Sequence, residues 1–197
     1  MPALGAGGRE FESLIRDHLW KYIMNDFFEK EYIKAKNGGS DIYFHVPTLF
    51  EYANRVNHIT EFGVRTGVST RAFLYSIKLN NTIIRSYDIS FDESANKLFE
   101  EAKNQGLDAK YIIDSTLNAV IEDTELLFID TNHTYEQVFS ELNLHAHKVS
   151  KYIAFHDTKA FPDINRAIDE FCQKYNSWTT DYCTEENHGL TILVKSS

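Results

Sequence analysis

The chain has 197 residues, of which 43% are hydrophobic, and it carries a formal net charge of −9. This length and apolar content suit one globular domain with a sizeable core, and the acidic balance argues against a nucleic-acid partner. No apolar segment reaches the roughly 20 residues that span a bilayer, and residues 1–10 lack the features of a secretory signal. Cys172 and Cys183 have neither metal-binding nor redox spacing. We therefore expect free thiols and a cytoplasmic protein without a membrane span.

The N-terminal part of the chain predicts a short tail followed by helices. Small residues and glycine dominate the first eight positions, which is typical of a disordered tail. Helical spacing follows over residues 11–36 and again over 46–56, and we expect these helices to cover the domain as a cap or lid. The expected boundaries are a tail over 1–8 and one domain over 9–197, with a helical cap over about 9–56 and a core over about 57–197.

From residue 58 onward, short β-branched runs alternate with longer amphipathic segments. This alternation is typical of a parallel α/β sheet, and the last two strands are expected to form an antiparallel pair. The predicted strands are 58–64, 83–89, 110–114, 125–130, 152–156, 179–183 and 190–195, and the predicted helices are 67–78, 93–104, 135–149 and 162–175.

The first predicted strand ends in an acidic turn that contains two glycines, Gly63 and Gly67, and leads into a helix. Glycine tolerates sharp turns and close contacts with a ligand. Ser69 and Thr70 begin the helix, where hydroxyls and free N–H groups can receive a carboxylate or a phosphate. The pattern predicts a nucleotide-cofactor loop. It lacks the G-x-G-x-x-G spacing of dinucleotide enzymes, which argues against a nicotinamide dehydrogenase.

Each of the five predicted parallel strands carries an acidic residue near its carboxyl end or directly after it. Ligands of open α/β sheets bind at the carboxyl ends of the strands. Local capping and turn chemistry also favours aspartate and serine, but acids at five successive strand ends exceed what turns require. We therefore expect the functional site at this edge. The residues expected there are Glu61, Gly63, Asp88, Asp114, Ser115, Asp130, His133, His156 and Asp157.

These motifs resemble a known family over about residues 56–195. The sequence Glu61-Phe62-Gly63 with Gly67, the strand-ending Asp88, and Asp114-Ser115 resemble the class I S-adenosylmethionine-dependent methyltransferases. The segments 127–136 (LFIDTNHTYE) and 154–158 (AFHDT) resemble, more narrowly, the branch of macrocin-type sugar O-methyltransferases and cephalosporin-hydroxylase-like proteins. The resemblance implies a Rossmann-like, doubly wound sheet of seven strands, mostly parallel with the last strand antiparallel, and helices on both faces. It also implies S-adenosylmethionine as cofactor and, in many members, a divalent metal.

The resemblance assigns cofactor roles to the matching residues. The two glycines would let the loop approach the methionine moiety, Glu61 would shape the loop, and Ser69 would be available to the cofactor carboxylate. Asp88 would accept both ribose hydroxyls, since a carboxylate has two acceptor oxygens. Arg65 is either a partner for a carboxylate or a solvated surface arginine. The full set expected at the cofactor is Glu61, Gly63, Arg65, Gly67, Ser69, Asp88, Asp114, Ser115 and Asp130.

We expect the chemistry at His133, Asp130 and Asp157. A hydroxyl must lose its proton to attack a sulfonium methyl group, and both a neutral imidazole and a divalent cation assist this step. His133 is the candidate base. Asp130 and Asp157 offer the oxygen ligands that Mg²⁺ prefers, and His156 is a softer third ligand that would favour Mn²⁺ or would instead orient Asp157. A metal-free mechanism that relies on His133 alone stays open.

The predicted function is S-adenosylmethionine-dependent O-methylation of a sugar or glycan hydroxyl, with a histidine base and Mg²⁺ or Mn²⁺. Two alternatives stay open. The acceptor is a catechol-like or other small-molecule hydroxyl, or the domain is a non-catalytic cofactor-binding module of a larger glycan-assembly protein. The sequence also leaves open whether the chain forms a homo-oligomer or belongs to a longer multidomain protein.

Overall fold

The computed structural model describes residues 26–196. Its strands are β1 (His58–Phe62), β2 (Ile83–Asp88), β3 (Asp108–Ile113), β4 (Thr124–Ile129), β5 (Val149–His156), β6 (Trp178–Thr184) and β7 (Leu190–Lys195). Its α-helices are α1 (Phe27–Lys36), α2 (Val46–Ala53), α3 (Val68–Asn80), α4 (Glu93–Asn104), α5 (Tyr135–His145) and α6 (Pro162–Lys174). Two 3₁₀ turns cover Tyr43–His45 and Ala146–Lys148.

The strands form one seven-stranded sheet in the order β3-β2-β1-β4-β5-β7-β6. Strands β1 to β5 pair in parallel, and β7 is antiparallel to both β5 and β6. The predicted Rossmann-like sheet is therefore confirmed, including its antiparallel last strand. The strand order reverses between β1 and β4, and such a switch point opens a crevice at the carboxyl ends of the strands.

Apolar side chains pack on both faces of the sheet because successive strand residues point to opposite faces. In β4, Leu126 and Phe128 belong to the cluster shared with α1, α2, α3 and α4, whereas Leu127 and Ile129 belong to the cluster shared with α5 and α6. The sheet is thus covered by helices on both faces, as a doubly wound fold requires.

The N-terminal helices α1 and α2 pack against α3 on one face of the sheet. The segment between them reaches the carboxyl edge, where Asp41 and His45 contact the β6–β7 loop. The predicted tail and the first part of the predicted cap helix lie outside the described residues. Among the residues that the structure describes, no helix combines the length and apolar character needed to cross a membrane.

Several predicted helix ends differ from the observed ones. Helix α2 ends at Ala53 rather than near residue 56, because Asn54 and Arg55 form a turn before β1. Helix α5 ends at His145 rather than near residue 149, because a 3₁₀ turn intervenes and Val149 already pairs with Thr124 in the sheet. Helix α3 continues to Asn80 and stops where Asn81 adopts a left-handed conformation with φ +53°. Both cysteines are free thiols, as expected.

Candidate active site

A cavity of about 470 Å³ lies at the carboxyl ends of β1, β2 and β4. Its position matches the crevice that the strand order predicts. Five of the residues expected at the cofactor line this cavity: Gly63, Arg65, Asp88, Ser115 and Asp130.

Glu61 lies beneath the cavity and is completely buried. Its carboxyl group accepts hydrogen bonds from the hydroxyls of Ser69 at 2.7 Å, Thr70 at 3.0 Å and Ser86 at 2.6 Å. Burial raises the pKa of Glu61 to about 7, although these hydroxyls oppose the shift. Through these bonds Glu61 joins the start of α3 to β1 and β2 beneath the loop. The expected contact of Ser69 with a cofactor carboxylate is not supported, because its buried hydroxyl already binds Glu61.

The two loop glycines are required by protein packing. Gly63 has φ +85°, and a Cβ atom there would lie 1.8 Å from the backbone oxygen of Asp130. Gly67 has φ +77°, and its Cβ would lie 2.9 Å from Cδ1 of Leu98. Packing against Asp130 and α4 alone therefore excludes a side chain at both positions, and Gly63 also lines the cavity.

Asp88 lines the cavity, but its carboxylate already has protein donors. One oxygen accepts the backbone N–H groups of Val64 at 2.9 Å and Arg65 at 2.8 Å, and the other accepts N–H at 2.9 Å and Oγ–H at 3.1 Å from Ser90. Burial raises the pKa of Asp88, but the hydrogen bonds outweigh it and hold the pKa below the usual value. Asp88 thus anchors the β1–α3 loop, and a ribose hydroxyl would have to replace the Ser90 hydroxyl.

Arg65 does not extend freely into solvent. Its guanidinium forms a bidentate ion pair with Asp41 at 2.9 and 3.1 Å, although 69% of its side chain is exposed. Of the two residues expected at the adenine, Ser115 lines the cavity, whereas Asp114 is exposed and accepts the backbone N–H of Ser115 at 2.7 Å. The structure therefore brings Ser115, but not Asp114, to the cavity wall.

Asp130, His156 and Asp157 come together beside the cavity, as predicted. One potential ligand atom from each residue lies within 4.8 Å of those of the other two. Nδ1 of His156 is 3.4 Å from Oδ1 of Asp130 and 3.3 Å from Oδ2 of Asp157. On its other side, Nε2 lies 3.3 Å from the backbone oxygen of Asp41, which can only accept a hydrogen bond. This arrangement leaves Nδ1 to face a cation, so the donor set of two carboxylates and one imidazole fits a divalent metal.

His133 lies between the same two carboxylates. Its Nε2 is 2.8 Å from Oδ2 of Asp157 and 3.6 Å from Oδ1 of Asp130, and its ring stacks on Phe161 with centroids 4.3 Å apart. Hydrogen bonds with Asp130 and Asp157 raise the pKa of His133 to about 9. The expectation of a neutral imidazole with an ordinary pKa is therefore wrong for the metal-free site.

The pKa values of the other members of the cluster are shifted in a consistent way. Burial lowers the pKa of His156, but its two carboxylate partners outweigh this and raise the pKa to about 10. Burial raises the pKa values of Asp130 and Asp157, yet the hydrogen bonds from the imidazoles bring both below their usual range. At neutral pH the metal-free cluster thus holds two carboxylates and two imidazolium groups.

The structure adds one histidine to this site that the sequence pattern did not single out. Nδ1 of His188 lies 3.0 Å from Oδ1 of Asp157. A signal for it exists in the topology: His188 and Gly189 directly precede β7, which runs antiparallel to β5 and therefore begins at the edge where β5 ends. Because Leu190 pairs with His156, a polar residue shortly before Leu190 had to lie close to His156 and Asp157.

Comparisons with known proteins agree with this arrangement. A family model described as a methyltransferase domain matches residues 60–158, which is half of the chain. The chain belongs to this family. The matched segment of this methyltransferase-domain protein extends from β1 to the residue after Asp157, and so includes the predicted cofactor loop, the cluster of Asp130, His156 and Asp157, and His133. A search of curated proteins found no match.

Solved structures share the fold at low sequence identity. A Staphylococcus aureus protein provisionally assigned as a caffeoyl-CoA O-methyltransferase has a TM-score of 0.64 at 13% identity, over 94% of this chain and 98% of that chain. The Podospora anserina methyltransferase PaMTH1, bound to S-adenosylhomocysteine (SAH), has a TM-score of 0.63 at 13% identity over 100% of both chains. TomG, the Streptomyces achromogenes O-methyltransferase of tomaymycin synthesis in complex with S-adenosylmethionine (SAM), has a TM-score of 0.63 at 13% identity, over 88% of this chain and 91% of that chain.

Proposed function

We propose that this methyltransferase-domain protein is a SAM-dependent O-methyltransferase that acts on a sugar or glycan hydroxyl with the help of a divalent metal. The observation that carries the proposal is the position of Asp130. This residue lines the cavity of about 470 Å³ and also belongs to the cluster with His156 and Asp157. A cofactor in the cavity would therefore present its methyl group to an acceptor held at the cluster, and such proximity is a large part of the rate gain in group transfer.

The cofactor assignment is supported by the cavity and by related structures. The PaMTH1 and TomG structures contain SAH and SAM respectively, and both share this sheet. In this chain, Asp88 is ionised and lies at the end of β2, where it can accept a ribose hydroxyl in place of Ser90. Ser115 and Asp130 complete the polar part of the wall.

Asp130, Asp157 and His156 Nδ1 would hold the metal, and His133 would receive the acceptor proton. A bound divalent cation would stabilise the developing alkoxide and offset the carboxylate charges that raise the pKa of His133. His133 is fixed for this role by stacking on Phe161 and by its contact with Asp157. A general base of this kind accelerates transfer by about 10²- to 10⁴-fold.

The sugar acceptor is supported by the resemblance to sugar O-methyltransferases and by the suitability of vicinal hydroxyls for metal chelation. A catechol-like phenol is the competing acceptor. The ring of Phe161, 40% exposed beside His133, favours an acceptor with a flat or apolar face. Transfer of labelled methyl groups from SAM to parallel panels of glycosides and catechols distinguishes the two classes.

His133→Ala separates an enzyme from a non-catalytic cofactor-binding module. We expect the variant to bind SAM as the wild type does and to lose at least about 100-fold in methyl transfer, because its side chain acts on the acceptor and lies outside the cavity wall. The exposed His147, in the distant turn before β5, provides the matched control as His147→Ala. Loss of cofactor binding together with activity would contradict the role assigned to His133.

A further inference from the structure

The loop between β6 and β7 is built tightly against the loop that follows β5. The backbone oxygen of His188 accepts the N–H groups of Lys159 at 2.7 Å and Ala160 at 3.0 Å. His188 and Gly189 have φ values of +73° and +90°, and a Cβ atom on Gly189 would lie 2.4 Å from the backbone nitrogen of Lys159. These contacts fix the position of the His188 side chain relative to Asp157.

Asp157 has one imidazole partner on one oxygen and two on the other. Its Oδ2 lies 2.8 Å from Nε2 of His133 and 3.3 Å from Nδ1 of His156, whereas its Oδ1 lies 3.0 Å from Nδ1 of His188. The carboxylate is an acceptor only, so His188 donates. Only 4% of the Asp157 side chain is exposed. Water therefore has little access to replace a missing donor.

We propose that His188 is a positioning residue for the candidate metal site. By holding Oδ1, its Nδ1–H turns Oδ2 of Asp157 towards Asp130 and His156, where the cation would be bound. A carboxylate without a donor on Oδ1 can rotate about its own side-chain bonds and carry Oδ2 away from the ligand position. The Nδ1–H of His188 opposes this rotation. This inference rests on the metal part of the proposed function.

Three substitutions at position 188 separate this role from a general effect on the fold. His188→Asn keeps a donor at the position of Nδ1, and asparagine tolerates the observed φ. His188→Ala removes the donor but is strained at a positive φ, and His188→Gly removes the donor without strain. His147→Ala is the control for loss of an exposed histidine. Thermal unfolding of each metal-free variant shows which variants fold as the wild type does.

The experiment is a titration of EDTA-treated, dialysed protein with Mn²⁺ alone, followed by electron paramagnetic resonance, without cofactor or acceptor. We expect His188→Ala and His188→Gly to bind Mn²⁺ about 10- to 100-fold more weakly than the wild type, as is typical for loss of a residue that orients a metal ligand. His188→Asn should bind within about threefold of the wild type, and His147→Ala should not differ from it.

Wild-type affinity in both His188→Ala and His188→Gly, or no recovery in His188→Asn, would overturn the role of His188 and leave the proposed function intact. A wild-type protein that binds no Mn²⁺ would contradict the metal part of the proposed function and the role of His188 with it. The wild type therefore reports on the site, and the variants report on His188.

Discussion

The two halves of the carboxyl edge use carboxylates in opposite ways. On the proposed cofactor side, Glu61 and Asp88 are satisfied by neutral hydroxyl and backbone N–H donors of the chain itself. On the proposed acceptor side, Asp130 and Asp157 face imidazole nitrogens, whose protons can be exchanged for a cation. The first pair holds the β1–α3 loop in place, with Asp88 also at the cavity wall, whereas the second pair has partners that a cation can replace. Substitutions on the two sides should therefore affect different properties.

The largest effect is expected on the acceptor side, from Asp157→Asn. The amide fits the same space and tolerates φ +62°, but it removes the negative charge that a divalent cation requires. We expect Mn²⁺ binding and methyl transfer to fall by more than about 100-fold, while SAH binding changes little. Titrations with Mn²⁺ and SAH measure both. Retention of Mn²⁺ binding within about tenfold would remove Asp157 from the metal site.

On the cofactor side, the main expected effect of Glu61→Ala is a lower free energy of unfolding, not a direct loss of the methyl-transfer step. The substitution leaves the buried hydroxyls of Ser69, Thr70 and Ser86 without their acceptor, at a cost of about 3 kcal/mol. Glu61→Gln keeps an acceptor oxygen and should cost about 1 kcal/mol. Urea denaturation measures both values. Equal costs for the two variants would show that hydrogen bonding is not what Glu61 contributes.

The pH dependence of stability provides a third contrast. The pKa of His133 is about 9 in the metal-free folded protein, against 6.5 for an unperturbed histidine, so the folded state binds this proton more tightly than the unfolded chain does. Its stabilising contribution is complete below pH 6.5 and is lost as the pH rises towards 9. Urea denaturation of metal-free protein across this window should show falling stability. In His133→Gln this fall should be smaller, and an unchanged slope would contradict the charge assigned to His133.

The smallest effect is expected from Asp41→Asn, which breaks the ion pair with Arg65. Because 69% of the Arg65 side chain is exposed, the loss should be below about 1 kcal/mol in stability and should vanish at high salt. The backbone oxygen that faces His156 is kept. Asp123→Asn, which breaks an exposed pair with Lys148 at the opposite edge of the sheet, is the control. A larger loss in Asp41→Asn than in the control at high salt would show that Asp41 does more than pair with Arg65.

The acceptor side was more predictable from the sequence than the cofactor side. Asp130, His156 and Asp157 follow or end apolar strands that the β-branched runs reveal, and the carboxyl ends of parallel neighbours meet at one edge. Their proximity follows from topology alone. Ser69 binds Glu61 because of the directions in which their side chains point from α3 and β1. The spacing of residues in the sequence does not specify those directions. The charge of His133 was also not predictable, because it depends on distances to two carboxylates.

The central claim, that the cavity binds SAM beside a metal site, is tested most directly by calorimetric titration of the protein with SAM and SAH, in EDTA and again with Mg²⁺ or Mn²⁺. We predict low-micromolar binding of either ligand in the presence of EDTA, and a separate heat of metal binding that Asp157→Asn abolishes. Absence of binding by both SAM and SAH under every condition would contradict the assignment of the cavity and, with it, the proposed methyltransferase activity.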